Sequence, residues 1–336
     1  MFIKMNIALL ILLPLEIIYA NCYAQPSLKF PVDCIEGKDC WVVNYFDIDP
    51  APDSAKDFNC GPRSYDNHKG TDIAIRDWQA MEKGVDVLAA VDGYVLRLRD
   101  GVEDKVLTRD QLNTIQNVNE SCGNGVFIDH GDGWQTIYCH LKKNSIIVKQ
   151  HQSVKAGQKL GQIGHSGYVE FPHLHIGVTF NDTFIDPYIG LSNQDGCGKT
   201  DQSLWADDTL SNYRDVSIYA AGFSDAVPEF DQIKHNAASP ESFPIDILAL
   251  TFWVSIFGIE KDDQIHMEIR NPEGRIFSER DIIQEKTRAR QFLYIGKKNK
   301  NSALIKGNYT GVITFSRELP SGQTLKRKIS RILSID

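Results

Sequence analysis

The stretch GNGVFIDHGDGWQTIYCHL (residues 123–141) decides the fold class. Two runs rich in β-branched and aromatic residues flank Gly131-Asp132-Gly133, where glycines supply the backbone freedom that a tight reversal needs. The stretch reads as a β-hairpin, and folding it back sets the residues near 122 opposite those near 139. A Cys122–Cys139 disulfide is therefore expected. Runs of the same kind recur on both sides: DIAI, VDVLAAV, GYVLRLR, LGQIG and LHIGVTF, each bounded by turn residues. Residues 61–190 thus read as an all-β, mainly antiparallel core. TRDQLNTIQNV (residues 108–118) breaks the rhythm, with Thr108 and Gln111 in capping-box spacing. It predicts a short helix within an excursion from Asp100 to Ser121, long enough to wall a site.

Beyond the polar stretch NQDGCGKTDQS (residues 193–203) strand-like runs resume, beginning with ILALTFWVSIFG. Five to seven short strands over the remaining residues predict a β-sandwich of immunoglobulin-like type. The N-terminus reads as an export signal: Lys4, then an apolar run from Ile7 to Leu15, then Cys22-Tyr23-Ala24 with cleavage after Ala24. Cys22 suggests a lipoprotein site, but Asn21 departs from the small residue such a site needs. The expected organisation is a signal (1–24), a lead-in segment (25–60), a core domain (61–195), a linker (196–215) and a sandwich (216–336). Of seven cysteines, six remain after that cleavage, an even number that suits a disulfide framework in an exported chain. Cys34–Cys40 and Cys60–Cys197 follow from locality and elimination. The expected location is periplasmic or secreted, and no segment is apolar enough to span a membrane.

The formal net charge of -8 gives no reason to expect nucleic acid as a partner. It hides a basic end, since residues 286–331 hold twelve Lys or Arg against the one acid Glu318. Either this is a solvated face, or it lets Lys286, Arg288, Arg290, Lys297, Lys298, Lys300, Lys326, Arg327 and Lys328 engage anionic envelope polymer.

The chemistry lies in three histidine clusters. PHLHIGV (residues 172–178) sets His173 and His175 two apart in a strand, on one face. NHKGTDIAI (residues 67–75) gives His68 and Asp72 at a spacing of four. IYCHL places His140 at a strand end, with Tyr138 and Thr136 expected on its face and Cys139 opposite. Two histidines and an aspartate are the donor types of a catalytic zinc site that keeps one position open, and spare histidines suit proton transfer. His130, His151, His165, His235 and His266 have no partner at ligand spacing and read as structural or surface residues. His165 is the nearest of them in sequence to the His-X-His strand.

His-Lys-Gly-Thr-Asp (68–72), Tyr-Cys-His-Leu (138–141) and Pro-His-Leu-His (172–175) resemble the lysostaphin/LytM-type zinc endopeptidases, family twenty-three of the metallopeptidases. The intervening VLAAVDGYV and VKAGQKLGQIGHSG are similar as well, and the resemblance covers about residues 61–190. It implies a LytM-type, duplicated-hybrid-motif-like β-sheet domain with one zinc ion per chain held by His68, Asp72 and His175. It also implies that His140 and His173 stand beside the metal as catalytic groups. The implied activity is hydrolysis of amide bonds in peptidoglycan stems or cross-links by zinc-activated water. Members of the fold that lose ligands act instead as regulators of cell-wall amidases, yet all five residues are present here. A protease of glycine-rich proteins is a third reading. The chain departs from the family at Tyr168-Val169-Glu170-Phe171, where small residues are usual, and at Ile176-Gly177.

Overall fold

The structure is a computed structural model. It describes residues 25–336 except 109, 112–113, 115–119, 192–195, 199, 207–212, 214 and 300–303. The expected signal and the Cys22 site lie outside the described residues, as does most of the expected helix at 108–118. Thr108 and Gln111 nevertheless exchange the two hydrogen bonds of a capping box.

The first unit comprises β1 (Cys40–Asn44), β2 (Thr71–Ile75), α1 (Trp78–Lys83), β3 (Asp86–Leu88), β4 (Gly93–Arg99), β5 (Asn124–Gly131) and β6 (Trp134–Leu141). It continues through β7 (Ser153–Val154), β8 (Lys159–Gln162), β9 (His173–Phe180) and β10 (Thr183–Ile185). One sheet runs in the order β1-β2-β9-β6-β5-β4-β7, with β10 on β9, while β3 and β8 pair apart from it. All its pairings are antiparallel. The β5–β6 hairpin turns where expected, with Gly131, Asp132 and Gly133 at φ 82°, 51° and 85°.

The segment expected as a lead-in supplies edge strand β1 and so belongs to this sheet. The expected linker is also engaged. Leu204 and Trp205 are buried in the first core, and Tyr213 stacks on Tyr45. Cys34–Cys40, Cys60–Cys197 and Cys122–Cys139 are all disulfides.

The second unit contains β11 (Ser217–Ser224), α2 (Phe230–His235), β12 (Ser242–Phe243), β13 (Ala249–Ile259), β14 (Gln264–Arg270) and β15 (Ile276–Ile283). After these come β16 (Arg288–Lys298), β17 (Gly307–Glu318) and β18 (Thr324–Ile335). A sheet β11-β13-β16 packs on a sheet β12-β18-β17-β14-β15, in which only the short β12–β18 pair is parallel. The two-sheet sandwich is thus present, and its immunoglobulin-like type is retained as a proposal on this strand order.

Strand β13 is buried along its whole length. Its even-numbered residues Phe252, Val254 and Ile256 fill the sandwich core, whereas Trp253 and Phe257 face the first unit. Burial on both faces explains why its sequence is apolar on both faces rather than alternating, with only Thr251 and Ser255 polar. Trp41, Val43, Ala74 and Phe171 form the first unit's side of that contact. Arg63 fastens the two units by donating to the carbonyls of Val42, Val43 and Asp215.

Among the described residues, most of the basic run is divided between β16 and β18. β16 borders β15 and β18 borders β11, which puts them at opposite edges of the sandwich.

Cys60–Cys197 closes the longest covalent loop, with a sequence separation of 137. Replacing both cysteines by alanine should cost roughly 3–5 kcal/mol through the freed unfolded chain. An unchanged urea midpoint would show that the loop is already constrained when the chain unfolds.

Candidate metal centre

The site lies where β2 and β9 pair. Their register sets Asp72 against His175 and Ala74 against His173, so these side chains share a face as strand geometry requires. His68 arrives from the loop before β2. Its Nδ1 donates to the Tyr45 carbonyl at 2.6 Å, which leaves the Nε2 lone pair facing Asp72 Oδ1 at 3.1 Å and His175 Nδ1 at 3.2 Å. His175 Nδ1 lies 2.9 Å from the same Asp72 oxygen, and Asp72 Oδ2 accepts from the Asn44 side-chain amide at 2.9 Å.

These distances test the donor set. A tetrahedral zinc ion with bonds near 2.0–2.1 Å requires donor–donor edges of roughly 3.3 Å. Three donors within 2.9–3.2 Å of one another are close to that spacing. The ring nitrogen of His68 has a lone pair and no hydrogen on this side, so a shared cation fits the cluster. The Tyr45 carbonyl and the Asn44 amide act as orienting partners of the kind that fix metal ligands. The other cluster of donor types, Cys34, Asp39 and Cys40, is closed by its disulfide.

His140 and His173 stand beside this set, with their rings 4.7 Å apart. His140 Nδ1 donates to the Ser166 carbonyl at 2.9 Å, and His173 Nδ1 to the Phe171 carbonyl at 2.8 Å. Each ring keeps Nε2 as a proton acceptor, and that of His173 lies 3.6 Å from Asp72 Oδ1. Burial, reinforced by the neighbouring His173 and His175, holds His140 well below the usual imidazole range. Burial also lowers His173, against the pull of Asp72. Burial alone would raise Asp72, but His68 and His173 hold it well below the carboxylate range. Burial thus favours the neutral form of both imidazoles, and the surrounding rings favour the ionised form of Asp72.

The position of His140 corrects the expectation of simple alternation. Register places Cys139 against His175 and Tyr138 against Ile176. Tyr138 points into the core, where its hydroxyl accepts from the Ala90 N–H at 2.7 Å. His140 reaches the site because its backbone is left-handed, at φ 64°, which turns the strand at that residue. Asn44, Tyr45 and Ser166 were not singled out as site residues. Two of them contribute backbone carbonyls, which carry no side-chain signature. Tyr65 was missed too; it stacks on His68 with ring centres 4.4 Å apart and is 51% exposed at the mouth of the site. His165 is buried against Trp78, while His130 bonds Thr136 and the Asp92 carbonyl away from the site.

Residues 66–187 match the profile of peptidase family M23. The family match is confined to this segment. The cell division protein DipM of Caulobacter vibrioides is 35% identical over 95 residues, 28% of this chain and 15% of that protein. The peptidoglycan DD-endopeptidase ShyA of Vibrio cholerae is 37% identical over 108 residues, 32% of this chain and 19% of that protein. The matched part of the chain thus spans about a fifth or less of the length of these curated relatives. Among solved structures, the catalytic domain of lysostaphin from Staphylococcus simulans aligns at 26% identity and TM-score 0.26, covering 36% of this chain and 76% of that one. The matched segment contains the three donors and the two buried histidines, but excludes β1 and the whole sandwich.

Gly70 separates two of the donors for a steric reason. A Cβ there would lie 2.5 Å from the His175 ring and 2.6 Å from the Ile176 carbonyl oxygen. Gly70→Ala should lower the urea-unfolding free energy by about 1–3 kcal/mol, and an unaltered midpoint would show that β2 and β9 can separate freely. His165 gives a pH signature. Burial pushes it from 6.5 down to about 4 in the folded protein. Below pH 6.5 the unfolded chain therefore binds a proton that the folded one refuses, so stability is full above 6.5 and declines toward pH 4. The loss should reach up to about 3 kcal/mol. Urea midpoints at pH 7 and 4.5 should converge in His165→Asn relative to wild type.

Proposed function

We propose that the protein is an exported, zinc-dependent endopeptidase that hydrolyses amide bonds in peptidoglycan peptide stems or cross-links. One observation carries this reading: a converging His68, Asp72 and His175 donor set faces two buried histidines whose Nδ1 atoms are committed to carbonyls. The M23 match and relatives named as peptidoglycan DD-endopeptidases support the substrate class. Among the described residues, no helix is long and apolar enough to cross a membrane.

In this reading His68, Asp72 and His175 hold the ion. When bound, zinc supplies Lewis-acid polarisation of a carbonyl and makes a water ionisable near neutral pH. The protein's own residues do the remaining work. His173 Nε2, directed at the donor set, accepts a proton from the attacking water and returns one to the departing amide nitrogen. His140, neutral and fixed by Ser166, is placed to assist that transfer or to stabilise the developing oxyanion from the other side. Asn44 and Tyr45 keep Asp72 and His68 from rotating out of the set.

The test uses purified protein, zinc-loaded, on diaminopimelate-type sacculi with products identified by mass spectrometry. Wild type should release uncrosslinked muropeptides with one equivalent of zinc bound. Asp72→Ala should lose the metal. His140→Asn, a residue that tolerates the left-handed backbone, should keep the metal while activity falls about 10²–10⁴-fold. Zinc bound at one equivalent without any product would overturn the enzyme reading and favour a regulator.

A further inference from the structure

Among the departures from the family pattern, Phe171 is one that touches a histidine of the site. It precedes Pro172 and β9, and its carbonyl receives the Nδ1 proton of His173 at 2.8 Å. Its ring also packs on the His173 ring, with centres 5.0 Å apart. One residue thus sets both the tautomer and the tilt of a histidine in the site. Yet the first unit does not hold Phe171 by itself. Phe257 of β13 lies 5.7 Å from its ring, and the guanidinium of Arg290, on β16, lies 4.9 Å from the ring centre.

Arg290 is itself confined. Its guanidinium is 5.0 Å from the ring of Phe230 at the start of α2, so the flat group is held between two aromatic faces from different units. One Nη2 lies 3.5 Å from the Glu170 carbonyl, the outer limit of a hydrogen bond. Among the described residues no carboxylate forms a salt bridge with it. A planar guanidinium suits stacking of this kind, and an ammonium does not reproduce it. Although Arg290 belongs by sequence to the basic run, it turns toward the first unit rather than joining a solvated face.

We propose that Arg290 is a positioning residue for the peptidase site, acting through Phe171 on His173. The C-terminal sandwich is thereby a working part of the active site, not an appended module. The proposal rests on the endopeptidase reading above for its kinetic consequence, though its structural consequence can be read without turnover. Strand β9 carries both the donor His175 and its neighbour His173. The clamp acts on the loop just ahead of β9, so it sets the imidazole of His173 while register with β2 independently fixes His175.

The experiment compares wild type with Arg290→Ala, Arg290→Lys and a distant control, Arg275→Ala, at an exposed turn residue whose side chain pairs with Glu273. Three quantities are measured: kinetics on a soluble cross-linked muropeptide, zinc content, and the ¹⁵N-imidazole pattern of His173, assigned with a His173→Gln variant. Arg290→Ala should lower kcat about tenfold or more at little-changed KM, with zinc near one equivalent. Its His173 signals should move from a single Nδ1–H tautomer to a tautomer average. Arg290→Lys should restore part of both effects, and Phe230→Leu, which opens the other side of the clamp, should mimic Arg290→Ala. Arg275→Ala should match wild type.

A merely structural role for Arg290 would lower the unfolding midpoint without changing kcat or the His173 tautomer in the folded protein, and that result overturns the proposal. If wild type itself turns over no substrate, the endopeptidase reading fails on its own. The tautomer pattern in Arg290→Ala still decides whether the clamp acts on His173, and an unaltered pattern there refutes it.

Discussion

A buried carboxylate organises this protein. Asp72 is 2% exposed, and burying an isolated ionised carboxylate would cost several kcal/mol. It is tolerated because Asn44 donates to one oxygen, while the other faces the ring nitrogens of His68 and His175 that would share a cation with it and, farther off, His173. Those partners come from β1, the following loop and β9, so satisfying one charge specifies the order of three neighbouring strands. A one-residue slip of β9 would send His173 and His175 into the core and leave Asp72 uncompensated. Register is thus enforced by electrostatics as well as by apolar burial.

The second tier of the site is mostly backbone. Tyr45, Ser166 and Phe171 each present a carbonyl to an imidazole Nδ1. This uniform device converts three histidines to the tautomer whose Nε2 is available, whatever the side chains at the supporting positions. It lets those side chains serve other purposes. Tyr45 joins an aromatic cluster with Phe58 and Tyr188 in the first core, while Phe171 faces the sandwich.

The same device explains which features could be read in the amino-acid sequence. Period-two runs and Gly131-Asp132-Gly133 identified the antiparallel sheet, because strand period and turn chemistry are local. The cysteine pairings were legible from the hairpin and from the small number of remaining cysteines. Side-chain type and spacing also drew attention to His68, Asp72, His140, His173 and His175. The supporting carbonyls could not be found that way, since every residue has one. The inward turn of His140 was hidden as well: it depends on a left-handed backbone at a non-glycine residue, where alternation predicted the reverse. The part played by Phe171 was visible only as a departure from the family pattern. Its partners Phe257 and Arg290 lie far along the chain, and only the packing of β13 across both units reveals them.

Strand β9 has a consequence for biogenesis. A polypeptide is made from its N-terminus, and His68 and Asp72 exist well before His175 does. Sheet order places β9 between β2 and β6, so the first strands of the nascent chain cannot close into their final neighbours until the peptide reaches residue 180. Until then the two early donors form an incomplete chelate with little hold on any divalent ion. Cys60 likewise waits for Cys197, and Leu28 waits for Trp205, its bridge partner. Assembly is therefore vectorial and late. The donor set cannot form before just over half of the chain has been made, which delays tight capture of any metal ion until the surrounding domain can fold.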